Sequence, residues 1–194
     1  PTSIGVVGSG PIAQTTLHFV KSLYTAAVPV KIHDLNSELV ARMVTRRGPE
    51  CSVVSLEEAL GCDLVLLATN AGTPYVPMSV RFQPNQLILN ISLRDLHPES
   101  IKTANNVFDD VEHCLKANTT PHLLEQLNGN RDFVTGTLAE FICSEKQLDP
   151  DRPTVFSPFG LGILDLAVAQ SLYEHVQASG GGLRVPDFHG DMKR

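Results

Sequence analysis

Short runs of Val, Ile and Leu alternate along this chain with longer stretches whose apolar residues recur every three to four positions. The first pattern suits strands buried on both faces and the second suits amphipathic helices. Their alternation predicts a mostly parallel sheet with helices on both faces. Runs at 4–7, 30–33, 51–54, 63–69, 87–91, 106–109 and 154–157 are read as seven strands. Helical spacing covers 11–26, with Pro11 in the first turn, and 37–47, with Ser37 as its cap. A short helix follows Ser55, whose capping-box partner would be Glu58. Further helices are expected near 111–116, 122–127 and 138–143. A long one is expected over 161–178, where Leu161, Leu164, Val168, Leu172 and Val176 form one stripe. The remainder, 179–194, opens on Gly180-Gly181-Gly182 and reads as a linker or a strand that docks elsewhere.

Composition narrows what such a domain can do. A chain of 194 residues suits one domain with a short appendage. With 15 Lys and Arg against 21 Asp and Glu, the formal charge is −6, so there is no basic surface for a phosphate backbone and nucleic acid is not expected as a partner. No apolar run reaches the roughly 18 residues of a membrane span, so no membrane is expected either. Cys51, Cys62, Cys114 and Cys143 form no C-x-x-C pair, which argues against a disulfide framework or a metal site. They are read as small buried hydrophobes in reduced form, with a cytoplasmic location. The opening Pro-Thr-Ser-Ile-Gly carries no initiator Met and no secretory signal, and suggests a piece of something longer.

Chemistry enters at Gly8-Ser9-Gly10-Pro11-Ile12-Ala13, a G-x-G-x-x-A pattern between the first strand and the first helix. Gly8 would make the tight turn, Gly10 would let a pyrophosphate approach the backbone, and Ala13 would let helix and strand pack closely. The amides of the helix start would face the phosphates. Asp34 ends the second strand 34 − 13 = 21 residues after Ala13, the place of a carboxylate that binds a ribose 2′-hydroxyl. Strand, glycine turn, helix, strand and acid together predict a Rossmann-like, doubly wound dinucleotide domain over 1–178. The acid favours NAD over NADP, although Arg42, Arg46 and Arg47 lie near. The competing reading of Asp34 is a turn cap with Asn36 and Ser37.

Ligands of open α/β sheets sit at the carboxyl ends of strands, which singles out Thr69-Asn70-Ala71, Ser92-Leu93-Arg94-Asp95 and Phe159-Gly160-Leu161-Gly162. Thr69 and Ser92 have hydroxyls suited to a nicotinamide or ribose edge, or simply to turns. Arg94, Asp95 and His122 are the candidates for chemistry: a fork for a substrate carboxylate, an acid, and a base near neutral pH. The plainer readings are an Arg94–Asp95 or surface arginine and a solvent-facing histidine, as also for His113. Asp165 is read as stabilising the start of the last helix rather than as catalytic.

These segments resemble the ornithine cyclodeaminase and μ-crystallin family. Ile91-Ser92-Leu93-Arg94-Asp95-Leu96, Asp109-Asp110-Val111-Glu112-His113, Gly129-Asn130-Arg131, Gly136-Thr137-Leu138 and Ser157-Pro158-Phe159-Gly160-Leu161-Gly162 resemble its branch that makes 2,3-diaminopropionate for siderophores and peptide antibiotics. The resemblance implies oxidative cleavage of N-(2-amino-2-carboxyethyl)-L-glutamate to 2-oxoglutarate and L-2,3-diaminopropionate, with NAD as hydride acceptor. Gly8, Ser9, Gly10, Pro11, Ile12 and Ala13 would then hold the pyrophosphate and Asp34 the adenosine ribose. Thr69, Asn70, Ser92 and Leu93 would line the nicotinamide side, with Phe159, Gly160 and Leu161 closing over the ring. The alternatives are ornithine cyclodeamination, another amino-acid or imine dehydrogenation, and dinucleotide binding without catalysis. The catalytic Asp of the cyclizing members has no counterpart in the short Ser92–Leu96 loop. The resemblance also implies an N-terminal substrate and dimerisation domain absent here. An amino-acid-derived substrate and a homodimer through that domain are expected, and this chain alone is expected to bind NAD and turn over weakly or not at all.

Overall fold

A computed structural model describes residues 1–24 and 27–186. Its first compact unit runs from Pro1 to Phe159, and a second begins at Gly160. Eight strands carry the first: β1 (Ile4–Val7), β2 (Val30–His33), β3 (Cys51–Val53), β4 (Leu64–Leu67), β5 (Leu87–Asn90), β6 (Asn105–Phe108), β7 (Val134–Thr137) and β8 (Thr154–Ser157). They form one parallel sheet in the order β3-β2-β1-β4-β5-β8-β6-β7. Its helices are α1 (Pro11–Ser22), α2 (Ser37–Arg47), α3 (Leu56–Leu60), α4 (Val111–Cys114), α5 (Thr120–Asn128) and α6 (Leu138–Ile142), with a 3-10 turn at Pro98–Ile101. The architecture is the expected Rossmann-like α/β fold.

Alternation within the strands builds two cores, one on each face. Ile4, Val6, Leu64 and Leu66 join Ala13 and Leu17 of α1 and Val40 and Met43 of α2. Val7, Val65, Leu67 and Ile88 join Ala59 and Leu60 of α3, Cys114 of α4 and Leu124 of α5. Gly5 lets α3 lie against β1: a Cβ on Gly5 would fall 1.9 Å from the carbonyl oxygen of Ala59.

Several sequence expectations are corrected. The first helix stops at Ser22, with Leu23 as its C-cap, and Ala26 lies outside the described residues. Ser37 is the first residue of α2 rather than its cap; the Asn36 side chain accepts from the amides of Glu38 and Leu39. Residues 134–137, unread in the sequence, form β7, so the strand at 154–157 is the eighth and lies between β5 and β6. Cys143 is exposed, unlike the three other cysteines, because α6 buries none of its residues. The Ser55–Glu58 capping box forms as expected.

In the second unit, α7 (Gly162–Ser179) is the expected long helix, with Asp165 in its first turn. Gly180 caps it in the left-handed conformation at φ 66°. Residues 181–186 have no regular structure, and 187–194 lie outside the described residues.

Candidate dinucleotide site

The chain runs outward from β1 through β2 to β3, then returns to place β4 on the other side of β1. Loops leaving β1 and β4 therefore diverge at the carboxyl edge, which opens a crevice between them. A cleft of about 570 Å³ lies there. Gly8 to Ile12 form one wall, His33 to Asn36 with Leu39 another, and Ala68 to Ala71 with Tyr75 a third.

The two glycines do different work. Gly8 turns the chain at φ +99°, and a Cβ there would stand 2.4 Å from the Ala68 carbonyl oxygen. Gly10 is the N-cap of α1 with ordinary φ −68°, and a Cβ on it would meet nothing within 4 Å. Gly8 is thus required by the turn and by β4, whereas Gly10 leaves open space on the cleft. No side chain caps α1, and its first turn carries no acid. Its leading amides, which lack intrahelical acceptors, are free to meet an anion. Ala13 is fully buried beneath this turn, as the close approach of α1 to the sheet requires.

Asp34 is half-buried beside this turn. Its Oδ2 accepts from Ser9 N at 2.7 Å and Ser9 Oγ at 2.5 Å, and its Oδ1 accepts from Asn36 N at 2.8 Å. The turn-cap reading thus holds for Asn36, and the carboxylate also ties the glycine turn to the end of β2. Burial pushes the Asp34 carboxyl upward. The bond from Ser9 Oγ, the Asn36 and Ser9 amides and nearby His33 outweigh that push and hold it below the usual range. A charged carboxylate therefore faces the cleft at neutral pH. Leu35 beside it is 98% exposed, an apolar side chain laid open along the same wall.

No pattern in the sequence announces the network behind the third wall. Asp95 is 0% exposed. It accepts from Thr69 Oγ1 at 2.7 Å and from the Tyr75 hydroxyl at 3.1 Å. Its main-chain oxygen accepts from the amides of Tyr75 and Val76. Ser92 Oγ accepts from Thr69 N at 2.6 Å, so the loops after β4 and β5 are fastened together. Burial raises the Asp95 carboxyl above the usual range, against bonds from Thr69, Ser92 and Tyr75. Burial, with the Asp95 charge, likewise pushes the Tyr75 phenol up. Tyr75 lines the cleft; Asp95 stands behind it.

The other candidates for chemistry are engaged elsewhere. Arg94 donates from Nε to the Asn118 carbonyl at 2.9 Å and from Nη2 to the Ala117 carbonyl at 3.0 Å, so its fork holds a loop rather than Asp95. That loop needs holding, since Ala117 and Asn118 both have φ +53°. His122 Nδ1 accepts from Asn118 N at 3.1 Å, and its Nε2 lies 2.9 Å from the Gln126 side-chain amide nitrogen. His113 lies 3.3 Å from Asp110. Asn70 lines the main cleft. Leu93 and Phe159 line a second, smaller recess, and Phe159 N donates to both Asp109 carboxylate oxygens. Gly160 and Leu161 open the second unit.

Topology, glycine turn and terminal acid define a Rossmann-like domain with the layout of a dinucleotide site. No family model matches the chain. It is 29% identical over 188 residues to the NAD(P)H-dependent anabolic L-arginine dehydrogenase of Pseudomonas aeruginosa, covering 90% of this chain and 58% of the relative. It is 26% identical over 184 residues to the N-((2S)-2-amino-2-carboxyethyl)-L-glutamate dehydrogenase of Staphylococcus aureus, covering 89% and 54%. A solved archaeal alanine dehydrogenase dimer with bound NAD matches with TM-score 0.82 at 25% identity, over 96% of this chain and 61% of that one. All three of these proteins are named as dehydrogenases of amino acids or their derivatives. The chain spans little more than half the length of the first two.

Proposed function

We propose that this chain is the NAD-binding part of an oxidoreductase that oxidises the C–H bond beside an amino-acid nitrogen. The observation that carries the reading is the cleft at the β1/β4 switch point, where uncapped helix amides and a bare Gly10 lie beside charged Asp34. The residues fit NAD: the first turn of α1 receives the diphosphate, and Asp34 accepts from the adenosine ribose hydroxyls. Leu35 and Leu39 offer apolar surface to the adenine. Asp34 would repel a 2′-phosphate. Arg47 already donates to the Gln14 carbonyl at 2.6 Å, and neither Arg42 nor Arg46 lines the cleft.

Bound NAD supplies the hydride acceptor. The chain's own part is to orient the ring at the Thr69–Ser92 side and to exclude water from it. The finer reading, supported by the Ser92–Leu96 segment and the Staphylococcus relative, takes N-(2-amino-2-carboxyethyl)-L-glutamate as substrate. Hydride leaves the glutamate α-carbon, the nitrogen loses its proton, and water cleaves the resulting C=N bond to 2-oxoglutarate and L-2,3-diaminopropionate. Substrate-gripping groups and a dimer contact would come from residues outside this chain.

Calorimetry with NADH tests the first part: saturable one-site heat is expected, and its absence overturns the reading. For the second, absorbance at the NADH band is followed with NAD⁺ and, separately, the carboxyethyl-glutamate, L-arginine and L-alanine, using the longer protein that contains this chain. Reduction with the first alone is expected. Turnover of arginine or alanine instead assigns a sister activity.

A further inference from the structure

Beside the main cleft lies a recess of about 10 Å³, bounded by Asn90, Ser92, Leu93, Cys114, Pro121, Ser157 and Phe159 among others. The two adjoin across the bond from Thr69 N to Ser92 Oγ, because Thr69 lines one and Ser92 the other. The polar side is buried: Asn90 is 2% exposed, Ser157 5% and Ser92 7%. The apolar side is open, with Leu93 and Phe159 each about 40% exposed. Asn90 Nδ2 donates to Ser157 Oγ at 3.0 Å, but Asn90 Oδ1 has no partner among the described residues. A buried amide oxygen without a donor is a costly feature, and it stands at the end of β5, where ligands of this topology bind.

The missing partner must be a hydrogen-bond donor, and a neutral one suffices, because the Asp109 carboxylate behind the recess already accepts from Phe159 N and Cys114 Sγ. A recess of this size admits one heavy atom, the tip of a larger group held at the rim. The Phe159 ring and the apolar Leu93 side chain at that rim suit an aromatic ring. Resting on the NAD reading above, we propose that Asn90 is the residue that recognises the nicotinamide carboxamide. Its Oδ1 accepts from the carboxamide NH₂ while the ring lies between Leu93 and Phe159. Ser157, which accepts from Asn90 Nδ2, positions the asparagine and leaves its oxygen for the ligand.

The test compares three ligands by calorimetry on the full chain and on Asn90→Ala and Asn90→Ser variants. ADP-ribose carries no nicotinamide, and the 3-acetylpyridine analogue of NAD has a methyl in place of the carboxamide NH₂. ADP-ribose is expected to bind all three proteins equally, which also shows that the variants fold. Wild type is expected to favour NAD over the acetylpyridine analogue by about three- to tenfold, the worth of one hydrogen bond, and both variants to lose that preference. If ADP-ribose binds but wild type and variants show the same ratio, the recess holds only water and the proposal is overturned. If ADP-ribose fails to bind wild type, the dinucleotide reading itself falls and takes this one with it.

Discussion

At the residue scale, Gly8 and Gly10 separate folding from binding. Adding a methyl at Gly8 forces a left-handed φ and a 2.4 Å approach to Ala68. Gly8→Ala is therefore expected to cost about 2 kcal/mol or more in a denaturant titration. At Gly10 the backbone is ordinary and the methyl meets nothing. Gly10→Ala should leave the midpoint within about 0.5 kcal/mol of wild type while NADH affinity drops at least about tenfold, since the methyl occupies the diphosphate's place. Equal effects of the two substitutions on stability would remove the distinction. Asp95 offers a second test through pH. Its native carboxyl titrates above the unfolded one. Its contribution to stability is thus complete below the ordinary carboxylate value and is lost as pH rises through the native one. Asp95→Asn cannot ionise, so its melting temperature relative to wild type is expected to climb as pH rises from the ordinary carboxylate value through the higher native one; a flat difference would refute this. Gly8, Gly10 and Asp34 were legible in the sequence because a backbone demand or a terminal charge leaves few residue types at a fixed spacing. Tyr75 was not, because its partner Asp95 lies 20 residues away and no periodicity links them. Arg94 misled for a related reason: its acceptors are main-chain carbonyls of a left-handed loop, which no side-chain pattern announces.

At the element scale, short helices depend on their ends. The Asn36 side chain receives two amides of α2, whereas Ser37 already has helical position. Asn36→Ala is expected to destabilise by about 1 kcal/mol and Ser37→Ala by no more than a few tenths, read as shifts of the urea midpoint. The reverse order would restore Ser37 as the cap. The strands nearest the site were read closely because β1 and β4 are buried throughout and β5 is apolar up to Asn90. β7 escaped because its four residues are Val, Thr, Gly and Thr at a sheet edge, with too little apolar character to stand out. It is held instead by β6, whose register shifts after Asn106 as Thr135 Oγ1 accepts the Asn106 amide. β6 itself carries two buried asparagines, with Asn105 bonded to Asp149 and Asn106 to the Ile101 and Phe133 carbonyls. Those bonds replace the apolar alternation by which strands are usually read. The return of β8 between β5 and β6 pairs Thr154 with Leu87, 67 residues back, and with Asn105, 49 residues back, a choice that local pattern does not encode.

At the scale of the whole molecule, a ligand that binds only the folded chain must stabilise all of it. At 100 times its Kd a single-site ligand contributes about 2.7 kcal/mol. For a chain of this length each kcal/mol raises the melting temperature by about 2–4 °C, so NAD at that excess should raise it by roughly 5–11 °C. The size of the rise with NADP then reports on Asp34. Its depressed pKa keeps it ionised through the neutral range, and a 2′-phosphate brought to the end of β2 meets that charge with no arginine among the residues lining the cleft. NADP at the same concentration is expected to give a markedly smaller rise. Asp34→Ala also releases Ser9 and Asn36, so the variant's own melting temperature should fall. For that reason the ligand-induced difference is the quantity to compare, and in the variant the NAD and NADP rises should converge. If the two dinucleotides stabilise wild type equally, the carboxylate has a structural duty to Ser9 and does not select the cofactor.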